Sequence, residues 1–338
     1  MTTTLYNNVP QTPTSPAMNH DLDDPFSSIH RLSTSSTQPP PYSPSSSSSF
    51  DPTLQLQIET PGKPWLSLPL PPRPDPIPIY AVPPSFSSLP SPSGRLSSSG
   101  DPSTQDPEPT YVSLRPTRCS GSSLLATPTS TTALATTVYR FGPSRPPVVT
   151  LYRPGGGPRV DDPFASASSS SSPPGNQGED VDLGTIPWDT TTLQTPLLSR
   201  TTTFRTRLGT FSWRYGTRKE RRARNASSLL IMERIVRVAG ARDMGVKDSE
   251  ARRAVAMLVR NDEVRSVGSG GSSAGNGGRL LVDLAGFDNV MGVGDEKNGE
   301  EQEMIKVLVV SSALVMLKKE VDRRRAQQIA IMAGAGGS

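Results

Sequence analysis

Little in this sequence can do covalent or metal chemistry. Its 338 residues include one cysteine, Cys119, and two histidines, His20 and His30. A lone cysteine excludes an intrachain disulfide framework. Histidine-based general base catalysis, Ser-His-Asp chemistry and Cys/His zinc sites all need several groups held rigidly together. Both histidines fall in a Ser/Thr/Pro-rich N-terminal stretch, so the part of the chain able to fold cannot assemble such a set. A Walker phosphate loop and a dinucleotide fingerprint are also missing. Gly271-Ser272-Ser273-Ala274-Gly275 formally matches the nucleophile-elbow spacing, but it lies in a Gly/Ser loop with no histidine partner. We therefore expect no enzyme, no catalytic residue, no cofactor and no metal site. The first residues show neither a basic n-region nor an apolar h-region, so no secretory signal is visible. The expected setting is cytoplasmic, at a membrane surface, or nuclear.

Apolar residues are scarce as well. Hydrophobic types make up 33% of the chain, against 36 prolines and 28 glycines. Segments that poor in apolar area cannot offset a chain entropy of roughly 1–2 kcal/mol per residue. The expected organisation is a disordered tail over 1–51 and one domain over 52–333. Flexible insertions are expected near 84–109, 154–182 and 266–277, with a short flexible C-terminus over 334–338.

What remains reads as short strands followed by one helix. Leu54-Gln55-Leu56-Gln57-Ile58 alternates with strict period two. Ile77 to Val82, Tyr111 to Arg115, Ser122 to Ala126, Thr136 to Phe141 and Val148 to Tyr152 follow, separated by turn residues. Leu193 to Leu198, Thr202 to Leu208 and Phe211 to Tyr215 read as a meander. In the last of these, Phe211, Trp213 and Tyr215 share one face, while Ser212 and Arg214 share the other, as in a half-buried antiparallel strand. Leu229 to Val238, Ala254 to Val259 and Arg279 to Leu284 complete about ten or eleven strands, which argues an all-β barrel or sandwich.

The closing run Met304 to Leu317, MIKVLVVSSALVML, is apolar on every side of a helix apart from Lys306 and the Ser311-Ser312 pair. Acidic residues precede it and basic residues follow it, complementing the helix dipole. Fourteen residues at ~1.5 Å each span about 21 Å, short of the ~30 Å hydrocarbon core of a bilayer. Burial in protein fits that length better than membrane insertion. The expected fold is mainly β, a closed antiparallel barrel around a hydrophobic C-terminal helix.

That architecture resembles the tubby C-terminal-like superfamily, which includes the LURP-one-related proteins and the phospholipid scramblases. The words ETPGKPWLSLPLPPRPDPIP, TTVYRFGP, TTTFRTRLGTFSWRYGTRKER and SSALVMLKKEVDRRR also look like a group of fungal proteins sharing the architecture. The resemblance covers about residues 52–333 and implies lipid association. Tubby domains bind phosphoinositides through basic residues, although no defined tubby ligand motif aligns here. The scramblase calcium and cysteine-rich motifs are not evident.

Two constellations carry the functional expectation. Between Arg200 and Arg224 there are nine Lys/Arg residues against one acid, Glu220. Strand alternation puts Arg205 and Arg207 on one face, with Arg214 joining them across a hairpin, and Arg218, Lys219, Arg221 and Arg222 in the adjoining loop. Converging guanidinium groups bind a phosphorylated headgroup bidentately, and each charge near an anionic membrane is worth about 1 kcal/mol. The competing reading is a solvated strand face and a charged loop. A nucleic-acid partner is disfavoured, because no aromatic stacking platform interleaves the outward arginines. In the tail, Pro39-Pro40-Pro41-Tyr42 is a PPxY motif, in which proline pre-sets a polyproline II ligand for a WW-domain partner. The expected role is a non-enzymatic adaptor or membrane-surface protein. A scramblase-like lipid-handling protein, or a regulatory protein with no ligand, are the alternatives.

Overall fold

The computed structural model describes residues 50–68, 70, 75–83, 107–116, 122–139, 145–160, 187–195, 200–238, 249–266, 268–290 and 295–335. All belong to one compact unit, Ser48–Ser338. The PPxY residues Pro39, Pro40 and Tyr42, both histidines and Cys119 lie outside the described residues.

Among the described residues, twelve strands form a single antiparallel sheet. They are β1 (Leu54–Ile58), β2 (Ile77–Val82), β3 (Tyr111–Leu114), β4 (Ser123–Ala126), β5 (Ala135–Val138), β6 (Val148–Tyr152), β7 (Pro187–Thr192), β8 (Thr202–Thr206), β9 (Gly209–Tyr215), β10 (Ser228–Val238), β11 (Ser249–Arg260) and β12 (Gly278–Val282). The order is β7-β6-β5-β4-β3-β2-β1-β12-β11-β10-β9-β8. Sequential hairpins build each arm, and the first strand pairs the last, Leu56 opposite Leu280. The two outer strands then meet. Gln194 and Thr203 exchange backbone hydrogen bonds of 2.9 and 2.8 Å, and the Thr191 hydroxyl donates to the Arg205 carbonyl at 2.8 Å. These contacts bring the sheet to near closure and remove most of its exposed edge.

Inside runs α2 (Asp295–Ala335). Every residue from Met304 to Leu317 except Lys306 and Leu314 is buried. Five of them (Ile305, Val307, Val309, Val310 and Val315) are β-branched and poor helix formers, so tertiary burial rather than propensity holds this stretch helical. Phe211 and Trp213 point inward from β9 and Tyr215 packs against the same core, as the alternation predicts. The Trp213 indole N–H donates to Ser312 Oγ at 3.0 Å, and that hydroxyl donates to the Val309 carbonyl at 3.1 Å. Ser312 thus satisfies the one polar atom of the largest core side chain. Among the described residues no helix is long and apolar enough to cross a membrane.

Two rims orient the rest. The lower rim carries the β8–β9 turn at Arg207-Leu208 and a 3-10 helix (Leu284–Val290), whose Phe287 packs 5.6 Å from Phe211. Here α2 enters. It leaves through the upper rim, where the Tyr215 hydroxyl donates to Glu320 at 2.9 Å. A second apolar cluster, Leu229, Ile231, Met257 and Val259, lies on the outer wall with Phe50 and Ala226 packed against it. In the β10–β11 ladder the partner of Met232 is Ala256 and that of Glu233 is Ala254. Val255 is the extra residue of this bulge and is buried in the core.

Three local readings differ from the structure. The strand expected at Leu193–Leu198 sits earlier, as β7, which opens on Pro187, where a missing N–H disturbs the ladder least. Leu193 is fully buried just past its end. β11 begins at Ser249, five residues before the expected Ala254, because its opening Ser-Glu-Ala-Arg-Arg carries no apolar alternation and is recruited by pairing to β10. Residues 218–223, expected as a loop, form α1 (Arg218–Ala223). Thr217 and Glu220 make a reciprocal capping box that supplies the start. Within the stretch expected as an insertion near 266–277, Ala274 bridges Lys63, and the Gly275 N–H donates to Glu320 at 3.0 Å.

Candidate anion-binding face at the upper rim

The arginines singled out by sequence do not converge. Arg205 pairs with Thr210 across the hairpin, while Arg214 lies four residues further along β9. At ~3.3 Å per residue that is about 13 Å of separation. Arg207 turns back on its own wall, stacked 5.1 Å over the Trp188 ring and donating to the Trp188 carbonyl at 3.2 Å. Arg205 is exposed on the outer wall, beside a hollow that it shares with Arg234, Arg252 and Glu250.

Arg214 is neutralised. It binds Glu220 through both terminal nitrogens, at 2.9 and 2.7 Å, and Glu233 through Nε at 2.7 Å. Hydrogen bonds from Arg214 hold the Glu220 carboxyl down to about 2, with further help from Thr217. The same carboxylate therefore caps α1 and locks Arg214. Of the remaining predicted residues, Arg221 donates to the Ser227 carbonyl at 3.2 Å, whereas Arg218, Lys219 and Arg222 are exposed. They sit on the upper rim, three to seven residues beyond Tyr215.

That rim holds a stronger concentration of charge. A cleft of about 280 Å³ beside the emerging α2 is lined by Arg200, Arg260, Arg265, Arg323 and Arg324, with Glu320 as its single carboxylate. Glu320 accepts two bonds from Arg260, at 2.6 and 2.7 Å, one from Tyr215 and one from Gly275. Burial would push Glu320 upward, but Arg260, Tyr215 and Gly275 together hold it below the usual carboxylate value. The near-buried Arg260 also donates to Ser228 and Asn276, so this pair is structural. Arg265 is paired with Asp262 at 2.8 Å.

Among the described residues, three arginines of the cleft are left without a carboxylate. Arg324 lies 4.3 Å over the Trp65 ring and donates to the Ser272 carbonyl at 3.2 Å. Arg200 sits 5.9 Å over the Tyr215 ring. Neither Arg200 nor Arg323 makes an ion pair among the described residues. Beneath them Lys319 donates to Thr195 and Thr202, and burial, followed by the Arg323 charge, lowers its pKa to about 8.

An apolar ridge adjoins this cleft. Gln328 of α2 donates to the carbonyls of Pro64 and Trp65, at 3.3 and 2.7 Å, and so fastens the loop after β1 to the helix. Lys63 closes the same loop by donating to the Leu68 carbonyl at 2.6 Å. The loop displays Trp65, Leu66, Leu68 and Leu70, with Leu66 at 94% exposure, and the last turns of α2 display Ile329, Ile331 and Met332. Large exposed apolar groups at such density are uncommon on a soluble surface. The ridge and the cleft meet at the Trp65–Arg324 contact.

Sequence reasoning could have found part of this. The apolar words of the 64–70 loop and the Arg323-Arg324-Arg325 run were visible, but nothing showed that Trp65 and Gln328, 263 residues apart, share one rim. Among the described residues no group of His, Cys, Asp or Glu could hold a metal ion. Comparison with known proteins adds no relative: no protein-family model matches the chain, and no curated protein or solved structure is similar to it.

Proposed function

We propose that this protein is a non-enzymatic module that docks peripherally on an anionic membrane surface through its upper rim. One observation carries the reading. Arg200, Arg323 and Arg324, none with a carboxylate partner among the described residues, flank an exposed ridge of Trp65, Leu66, Leu68, Leu70, Ile329, Ile331 and Met332. Basic groups beside protruding apolar and aromatic side chains match the two components of a membrane interface, anionic headgroups above and acyl chains below. Neither component alone explains the arrangement. A solvated charge cluster needs no ridge, and an apolar protein interface depletes charge at its centre.

The magnitudes favour joint action. Each unpaired arginine contributes about 1 kcal/mol at an anionic surface. Each ridge side chain, about half exposed or more, can add about 1 kcal/mol on insertion. The apolar part is thus the larger, and salt should weaken binding without abolishing it. Arg218, Lys219 and Arg222 of α1 share the rim and extend its positive field. The tubby-like reading is a proposal of the same kind, supported by the barrel wrapped around its C-terminal helix.

The test is vesicle binding of the full chain. Wild type should sediment with phosphatidylserine-containing vesicles and much less with phosphatidylcholine alone, and Leu66→Ser with Ile331→Ser should lose most of that binding while melting normally. Equal binding by the double variant would refute the reading. Docking of a WW-domain protein at Pro39, Pro40 and Tyr42 rests on sequence alone; a Tyr42→Ala tail peptide that binds WW domains as well as wild type would remove it.

A further inference from the structure

On the other side of α2, the upper rim opens into a cavity of about 720 Å³, within the range of small-molecule sites. It is separated from the arginine cleft by the loop after β1 and by Gly275. Its walls are mainly apolar, formed by Ile77 of β2, Leu68 and Leu70 of the loop, and Leu314, Leu317 and Val321 of α2. One charged group in it is met by carboxylates only through space, with none in direct contact. Arg115, just beyond β3, lines the cavity and makes no hydrogen bond or ion pair among the described residues. Burial lowers its pKa, and Tyr139, Asp322 and Asp75 offset part of that cost.

The other cations of the wall are already engaged. Lys318 binds Asp322 at 2.5 Å and lies 4.3 Å over the Tyr139 ring, and Lys63 is held by the Leu68 carbonyl. A largely buried guanidinium with no anion in direct contact is costly, and a bidentate oxyanion is the group that relieves it. Two carboxylates on the wall, Glu59 and Asp75, disfavour a second negative charge on the ligand.

We infer that this cavity is a binding site for an amphipathic monocarboxylate, with Arg115 clasping the carboxylate and the apolar walls enclosing a hydrocarbon body. The site goes beyond the membrane-docking reading and does not depend on it. A fatty acid is the simplest compound of this class, and a single carboxylate supplies Arg115 with a direct partner without overfilling the site with charge.

Calorimetric titration of the full chain with dodecanoate, below its micellar concentration, tests the inference. Saturable binding with one site per chain is expected. Dodecanol, acetate and dodecyl phosphate should each bind at least tenfold more weakly, since each lacks the charge, the apolar body or the single negative charge. Arg115→Met should weaken dodecanoate at least tenfold. Ser123→Phe, which fills the cavity and leaves Arg115 in place, should abolish binding while preserving cooperative melting. The ridge variant Leu66→Ser with Ile331→Ser should keep dodecanoate binding, so failure of this site and failure of membrane docking are read separately. Equal binding of dodecanol, tighter binding of dodecyl phosphate, more than one site per chain, or unchanged affinity in both Arg115→Met and Ser123→Phe would overturn the assignment.

Discussion

Replacing Glu320 with glutamine removes one charge and almost no volume, and it should cost this barrel more than any other single change at the rim. Glu320 holds Arg260 through two bonds of 2.6 and 2.7 Å, and the Arg260 side chain is only 3% exposed. In Glu320→Gln the guanidinium stays charged and buried opposite a neutral amide. Breaking one half of such a pair costs about 3–5 kcal/mol. For a domain of this size that is roughly 10 °C in Tm. The double variant Arg260→Met with Glu320→Gln leaves no buried charge and keeps the Tyr215 and Gly275 bonds available to the amide. It should therefore recover to within about 2 kcal/mol of wild type. Urea unfolding of the four proteins gives the cycle. The acid limb supplies a second check. Because Glu320 is held below its ordinary 4.5, its contribution is complete above that value and is lost as pH falls through the lower folded value. The gap between wild type and Glu320→Gln should thus narrow only below about pH 4.5. A Glu320→Gln loss under about 1 kcal/mol, with additive behaviour in the double variant, would refute the reasoning.

Two further outcomes concern groups inside the barrel. The pKa of Lys319 is lowered to about 8 from an ordinary 10.5, so the unfolded chain holds its proton more tightly and folding is penalised at neutral pH. The penalty is relieved as pH rises through that interval. Lys319→Met should raise Tm by a few degrees at pH 7, because Thr195 and Thr202 still bond each other at 3.0 Å, and the gain should shrink toward pH 10. A gain that stays constant from pH 7 to 10 would count against the assignment. Ser312→Ala removes the acceptor of the Trp213 indole deep in the core and should cost about 1–3 kcal/mol in chemical denaturation. Adding Trp213→Phe should then cost less than the sum of the single changes.

The fold was largely legible because its two periodicities are clean. Alternation set the inward face of Phe211 and Trp213, and a nearly all-round apolar run of fourteen residues at Met304–Leu317, too short to span a bilayer, fitted a core helix better than a membrane segment. The opening of β11 was not legible, since Ser249 to Arg253 are recruited by the neighbouring strand and carry no apolar signal of their own. At the candidate site, composition overstated the hairpin. Charge counting saw nine basic residues between Arg200 and Arg224 but not that Glu233, from the next strand, would join Glu220 in consuming Arg214. Conversely, Trp65 and Arg324 meet only because the barrel brings the loop after β1 to the rim that α2 leaves. Sequence separation hid that juxtaposition, and Arg115 drew no notice as a single arginine after a short strand.

On the proposed reading the upper rim, and not the β8–β9 hairpin, meets an anionic surface. Two charge-reversed full-length chains decide it: Arg200→Glu with Arg323→Glu at the rim, and Arg205→Glu with Arg207→Glu on the hairpin. Both are measured by partition onto phosphatidylserine-containing vesicles at physiological salt. At about 1 kcal/mol per charge, and twice that for each reversal, the rim variant should lose about three orders of magnitude in partition, with the hairpin variant close to wild type. Full binding by the rim variant, with binding lost in the hairpin variant, would contradict the account.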